Sequence, residues 1–191
     1  MELTTDQKGA IAETALMHAA ARLCIPVYAP VCEGGRYDLI FDVGSKLFRV
    51  QCKWAVHLGD VVMIRCRSCR RSRSGLVHRS YTTDEIDLIA GYCAQLEQCY
   101  VLPFARFFRQ SSLYLRLTPT KNNQAHGILW AEDFEFERLN WAGSGAIAQL
   151  GERLRGTQEV GGSSPPGSTS EAAELSGLAA ANVAPRAPQK P

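Results

Sequence analysis

Asp38, Gln51 and Lys53 are the residues of this 191-residue chain whose types and spacing could do chemistry together. A carboxylate, an amide oxygen and an ammonium on one surface are the parts of a hydrolytic metal site. Hydrolysing a phosphodiester needs an activated water and positive charge against the phosphate and the leaving oxygen. A divalent cation held by a few oxygen ligands supplies both. Asp38 can be the first ligand, Gln51 offers a neutral carbonyl oxygen, and the backbone carbonyl of Cys52 could add another. Lys53 can orient the attacking water, lower its pKa or stabilise the charge that develops on the phosphate. Mg2+ takes one or two carboxylates and keeps several waters, and Glu13 is the candidate second carboxylate. It falls mid-helix beside an apolar stripe, where a carboxylate needs a reason such as a metal, a lysine or a cleft edge. Asp and Lys on a hairpin also form ordinary surface ion pairs, and the spacing alone does not separate the two.

The elements that must position these residues begin with a hairpin. Residues 36–43 and 47–54 read as its arms around Gly44 and Ser45, a Gly-X pair suited to a two-residue turn. That turn pairs Val43 with Lys46, Phe41 with Phe48, Leu39 with Val50 and Tyr37 with Cys52, an apolar face throughout. On the other face Asp38 lies opposite Gln51, and Lys53 points the same way as Gln51. Upstream, Ile11, Ala12, Ala15, Leu16, Ala19 and Leu23 recur at helical spacing, predicting a helix over 5–23 capped by Thr4 or Thr5. Strands are predicted at 27–31, 61–67 and 77–81, with a basic loop at 68–75. Thr83, Asp84 and Glu85 predict the start of a second helix, with Ile86, Ile89, Ala90 and Cys93 as its buried stripe. Residues 99–104 and 113–117 predict strands, 118–124 a polar loop, and Phe134, Phe136 and Leu139 a last packed segment. This order predicts a mixed sheet with helices against it.

A helix with Glu13, then Gly35-Arg36-Tyr37-Asp38, a hairpin, and Gln51-Cys52-Lys53 resembles the PD-(D/E)XK nuclease superfamily. Lys8-Gly9-x-x-Ala12-Glu13, Arg36-Tyr37-Asp38-Leu39 and Val50-Gln51-Cys52-Lys53 are most similar to its group I intron homing endonuclease branch. Archaeal Holliday-junction resolvases are similar in the same places. The resemblance implies an α/β, restriction-endonuclease-like αβββαβ core, a central mixed sheet flanked by helices. It implies a Mg2+- or Mn2+-dependent endodeoxyribonuclease that leaves a 5′-phosphate and a 3′-hydroxyl. Glu13, Asp38, Gln51 and Lys53 would occupy the catalytic positions, with Asp38, Gln51, Glu13 and the Cys52 carbonyl at the metal. Double-stranded DNA is the implied partner. One site per domain implies at least a dimer, or a tetramer, for cutting both strands. Two departures stand out: Tyr37 where proline is usual, and Gln51 where an acidic residue is usual, a trait the homing branch also shows. A structure-specific nuclease like the junction resolvases is an open alternative. A degenerate module that only binds DNA is the other.

The net charge of +2 hides an uneven distribution. Arg65, Arg67, Arg70, Arg71, Arg73 and Arg79, with His78, fall in a stretch without an acidic residue. Such a block is an electrostatic footprint for phosphate, and guanidinium binds phosphate and base edges bidentately. A solvated basic hairpin has the same composition. Arg65, Arg67, Arg70, Arg71, Arg73 and Lys121, the last in the polar loop, are the expected DNA contacts. Cys66 and Cys69 have zinc-like spacing. Cys52, His57, Cys32 and His78 are unpatterned candidates for the missing ligands, and two plain thiols are the alternative. His57 reads as a loop residue or as one beside the site, and Trp54 and Trp130 as core or cleft-edge aromatics.

A hydrophobic content of 46% fits a soluble globular domain, and no apolar run is long enough to span a bilayer. Residues 1–6 lack a signal-peptide pattern, so a cytoplasmic, nucleoid-associated location is expected. Seven cysteines without a framework suggest reduced thiols. Residues 1–141 are expected to form the domain. From 142 to 191 aromatics vanish and Gly, Ser, Ala and Pro dominate, so a disordered, low-complexity tail is expected. Residues 147–153 and 162–165 back-translate to sequences resembling the D-arm and T-arm of a transfer RNA. Our hypothesis is that the frame runs through a tRNA gene, and sequencing the locus without finding one refutes it.

Overall fold

Thr4 starts the first helix, α1 (Thr5–Arg22), with a capping box. Its hydroxyl accepts the Gln7 N–H at 3.2 Å, and Gln7 Oε1 accepts the Thr4 N–H at 2.9 Å. The computed structural model describes residues 2–32, 34–73, 75–120 and 127–141, without the side chains of 70–72. Lys121 and the expected tail lie outside the described residues. Helix α1 buries Ala12, Leu16, Ala19 and Ala20, whereas Ile11 and Leu23, at the rims of the expected stripe, are exposed. No described helix is long and apolar enough to cross a membrane.

Strand β1 (Val27–Tyr28) is shorter than predicted and pairs antiparallel with β2 (Leu39–Val43). Strands β2 and β3 (Lys46–Leu58) form the expected hairpin, with Val43 opposite Lys46, Phe41 opposite Phe48 and Leu39 opposite Val50. Gly44 turns it with φ +65°, as a two-residue turn with glycine first requires. Strand β3 is long enough to serve two parts of the sheet. Its middle lies between β2 and a later strand, and its end, including His57, pairs with β4 (Val61–Arg65). His57 is therefore a strand residue opposite Val62, not a loop residue.

The expected basic loop is mostly strand. β5 (Arg67–Ser72) and β6 (Gly75–Ser80) pair antiparallel as a separate two-stranded ribbon. The expected second helix is also strand: one turn at 82–86 leads straight into β7 (Leu88–Cys93), parallel to β3. Five of the six β7 residues are buried, so it is apolar on both faces. A short apolar run of that kind satisfies helical spacing by accident. The crossover from β3 to its parallel neighbour thus runs through β4, the ribbon and a turn. Gly91, opposite Lys53 in β7, lets β7 lie close to the core, since a Cβ there would meet Ile64 Cδ1 at 2.9 Å.

Strand β8 (Gln98–Pro103) pairs antiparallel with β7, and α2 (Phe104–Phe107) follows it. Strand β9 (Ser112–Arg116) runs antiparallel to β4, and β10 (Leu129–Trp130) parallel to β9. Two 3-10 turns, Ala131–Phe134 and Phe136–Arg138, end the described chain with Phe134 and Phe136 packed inward as expected. The result is a central mixed sheet with few helices. One face packs on α1 through Leu39, Val50, Cys52 and Ala90. The other packs Ala55, Ile64 and Ile89 against Tyr81, Phe104 and Phe134.

Candidate active site

Gln51 and Lys53 sit on the central strand, flanked by β2 and β7, with Gln51 opposite Ile89 and Lys53 opposite Gly91. Asp38 stands just outside β2, and the backbone there departs from the expected register. Its N–H donates to Val50 O at 2.9 Å although Val50 is the partner of Leu39. Two residues opposing one is the arrangement of a β-bulge, which re-aims the side chains around it. Tyr37 therefore does not face Cys52. It packs against the Ile64 and Tyr81 side of the sheet, while Cys52 packs on the α1 side.

The bulge delivers the Asp38 carboxylate to β3. Oδ2 accepts the backbone N–H of Cys52 at 2.8 Å and a hydrogen bond from Gln51 Nε2. Gln51 Nε2 also donates to Cys52 O at 3.3 Å. The buried Gln51 amide nitrogen thus stands between two oxygens, one carboxylate and one carbonyl. Lys53 Nζ donates to Tyr81 Oη at 2.7 Å. Burial pushes the Asp38 carboxyl above its ordinary value, against the opposing pull of the Cys52 N–H, the Lys53 charge and the Gln51 amide. Burial likewise lowers the Lys53 ammonium, more than the nearby Asp38 charge restores it. Both charged forms are thus penalised by dry surroundings, as is common where chemistry is done.

Glu13 lies mid-way along α1, and its charge is felt at the Cys52 thiol. The Cys52 thiol is raised first by burial and then by the charges of Asp38 and Glu13, so both carboxylates bear on one point of β3. Among the described residues, no three His, Cys, Asp or Glu side chains gather where they could share a metal. The oxygens that could hold a metal are instead mixed: the Asp38 carboxylate, the Cys52 carbonyl and the Gln51 amide, with Glu13 on α1. These are hard oxygen donors of the kind Mg2+ prefers, and two of them already converge on a single hydrogen-bond donor.

The zinc-like pair is not assembled. Cys66 is a core thiol, 2% exposed, donating to Ile64 O at 3.7 Å and pushed up to about 11 by burial. Cys69 is exposed on the ribbon opposite His78, and Cys52 lies in the other core cluster. Of the arginines expected to touch DNA, Arg65 ends β4, Arg67 lies in β5, and Arg73 is in the turn; all three are exposed. Arg70 and Arg71 pair by backbone with Val77 and Leu76 in the ribbon. Trp54 is half-buried, edge-on to Tyr92.

Two residues beside the site were given no role by the sequence, and one of them, Tyr81, has no signal in its own neighbourhood. Tyr81 meets Lys53 across 28 positions. Arg36, part of the Arg-Tyr-Asp motif, stacks on Tyr81 and binds Glu85 at 2.9 Å.

A family model described as PD-(D/E)XK endonuclease matches residues 3–137. The solved structure of I-Ssp6803I, a bacterial homing endonuclease, is similar in fold, with a TM-score of 0.57 and 24% identity. The match covers 82% of this chain and 98% of that one. No curated protein matches the chain.

Proposed function

We propose a function from one premise: the chain belongs to the PD-(D/E)XK endonuclease family. It is a divalent-cation-dependent endonuclease that hydrolyses phosphodiester bonds in double-stranded DNA, in the manner of a homing endonuclease. The observation that carries this reading is the convergence of Asp38, the Gln51 amide and the Cys52 carbonyl beside the Lys53 ammonium on one central strand.

Asp38, the Cys52 carbonyl and the Gln51 amide oxygen would hold Mg2+ or Mn2+, with Glu13 contributing from α1. Bound there, the ion supplies positive charge at the phosphate and lowers the pKa of water. Gln51 presents its oxygen by turning its amide over, which exchanges two hydrogen bonds for ligation. Lys53 orients the attacking water and stabilises the charge that builds on the phosphate as the bond to the 3′ oxygen breaks. In-line attack leaves a 5′-phosphate and a 3′-hydroxyl. The exposed Arg65, Arg67 and Arg73, with Arg70, Arg71 and Lys121, hold the DNA backbone. Cutting both strands takes two copies of the site, hence a dimer or tetramer.

The test is nicking of supercoiled plasmid and of a four-way junction, with Mg2+ and with EDTA. The wild type is expected to cut only with Mg2+, and Lys53→Ala to lose about 100-fold or more in rate. A wild type no faster than Lys53→Ala on every substrate overturns the enzyme reading. The neutral Gln51, donating to Asp38 instead of ligating with it, favours a second reading, a DNA-binding module without cleavage. That module would shift the same DNAs in a gel and cut none of them. Preference for the junction over plasmid would mark a resolvase-like enzyme.

A further inference from the structure

We propose that Tyr81 is the positioning residue of Lys53, a role that rests on the nuclease reading above. A lysine carries its charge on a flexible four-carbon stem and cannot aim itself. Here Nζ donates to Tyr81 Oη at 2.7 Å and lies 4.9 Å from the centre of the same ring. Tyr81 is itself fixed. It is 4% exposed, its ring stands edge-on to Phe104, and the Arg36 guanidinium lies 4.5 Å from its ring centre.

Arg36 is fixed in turn. It donates to Glu85 Oε2 and to Ser80 O, each at 2.9 Å, and to Ser68 Oγ at 3.4 Å. Glu85 also accepts from Thr82 N at 3.0 Å and from Arg79 at 2.6 Å. Ser68, Arg79 and Ser80 belong to the ribbon strands, and Tyr81 directly follows the second of them. One cluster therefore anchors the base of the arginine ribbon and holds the ammonium of the site. Packing accounts for a buried ring at 81, because phenylalanine would fill the same space. It does not account for a hydroxyl, which is costly to bury unless hydrogen-bonded and which here accepts from the lysine.

Tyr81→Phe in the full chain keeps the ring and removes the hydroxyl that accepts from Lys53. With Mg2+ and protein in excess over supercoiled plasmid, the single-turnover rate is expected to fall about 10- to 100-fold, the range for losing a partner that orients a working group. The Kd for the same DNA should stay at its wild-type value, and the Tm should fall by no more than the few degrees that one stranded polar group costs. The second readout needs no activity. In an ammonium 1H–15N spectrum, the Lys53 signal, assigned by its loss in Lys53→Ala, should be protected from exchange in the wild type and lost in Tyr81→Phe. A Tyr81→Phe chain that cuts at the wild-type rate, or keeps the protected signal, overturns the role. So does a loss of rate matched by a loss of DNA affinity. A wild type no faster than Lys53→Ala overturns the nuclease reading and this role with it, and is told apart by that control.

Discussion

The Gln51 amide nitrogen stands between Asp38 Oδ2 and Cys52 O, and so meets by hydrogen bonding what a cation would meet by charge. Replacing it with glutamate removes both donors and sets a second carboxylate against Asp38, an arrangement that two like charges oppose. Without a divalent ion, Gln51→Glu is expected to cost about 1–3 kcal/mol, the range for stranding a buried polar group. That should appear at pH 8 in EDTA as a Tm several degrees below wild type, at roughly 2–4 °C per kcal/mol. Added Mg2+ should restore the loss and shift the variant more than the wild type. A calorimetric scan with and without Mg2+ checks this, and a variant Tm indifferent to Mg2+ contradicts the ligand assignment. The types of Asp38, Gln51 and Lys53 were readable because their hairpin repeats every two residues. The bulge at Asp38 was not, because it depends on which Val50 contacts the backbone makes in three dimensions.

At the scale of the elements, the segment entering β7 shows how charge replaces an expected helix. Asp87 accepts from Arg49 N at 2.8 Å, from Arg49 Nε at 2.9 Å and from a terminal guanidinium nitrogen at 2.8 Å. Asp87 N–H donates to Arg49 O at 2.9 Å, so the pair locks β7 onto β3 and with it the neighbours of Gln51 and Lys53. Burial pushes the Asp87 carboxyl up, but the hydrogen bonds and charge of Arg49 outweigh it and hold it below its ordinary 3.8. The folded value is thus below the unfolded one. The stability it contributes is present above about pH 4 and is lost as pH falls through the folded value. Between pH 5 and about pH 2.5 the wild-type Tm should therefore fall more steeply than that of Asp87→Asn. Parallel curves would show that the pair adds nothing. Acidic residues at 84, 85 and 87 suit a helix start when only local sequence is read. The partners of Glu85 and Asp87, which are Arg36 and Arg79 for the first and Arg49 for the second, arrive from elsewhere in the chain.

Over the whole molecule, the sheet separates two jobs. Helix α1 covers one face, and the other face carries Lys53 towards the Tyr81 cluster and the ribbon. If the ribbon seats DNA, its arginines act through phosphate and their worth depends on salt. Arg67→Ala and Arg73→Ala should each weaken binding regardless of sequence. Each should also flatten the plot of log K against log salt by about one unit of slope. Arg22→Ala, which removes the partner of Glu137 at the end of α1, should leave that slope unchanged. Binding titrations over a range of salt measure all three, and equal slopes in every variant would move the DNA off the ribbon.

Residue types and short-range periodicity by themselves determined α1 and its cap, the β2–β3 hairpin with its register beyond Asp38, and the family to which those motifs point. These are encoded within a few residues of one another, where spacing of 3.6 or 2 and a glycine turn suffice. Only the tertiary structure decided that residues 88–93 are a strand, because burial on both faces erases the alternation that would mark one. It alone made a ribbon of the arginine stretch and sent Cys66 into the core. It also brought Tyr81 to Lys53, a contact set by how β3 and the end of β6 pack and by nothing adjacent to either residue.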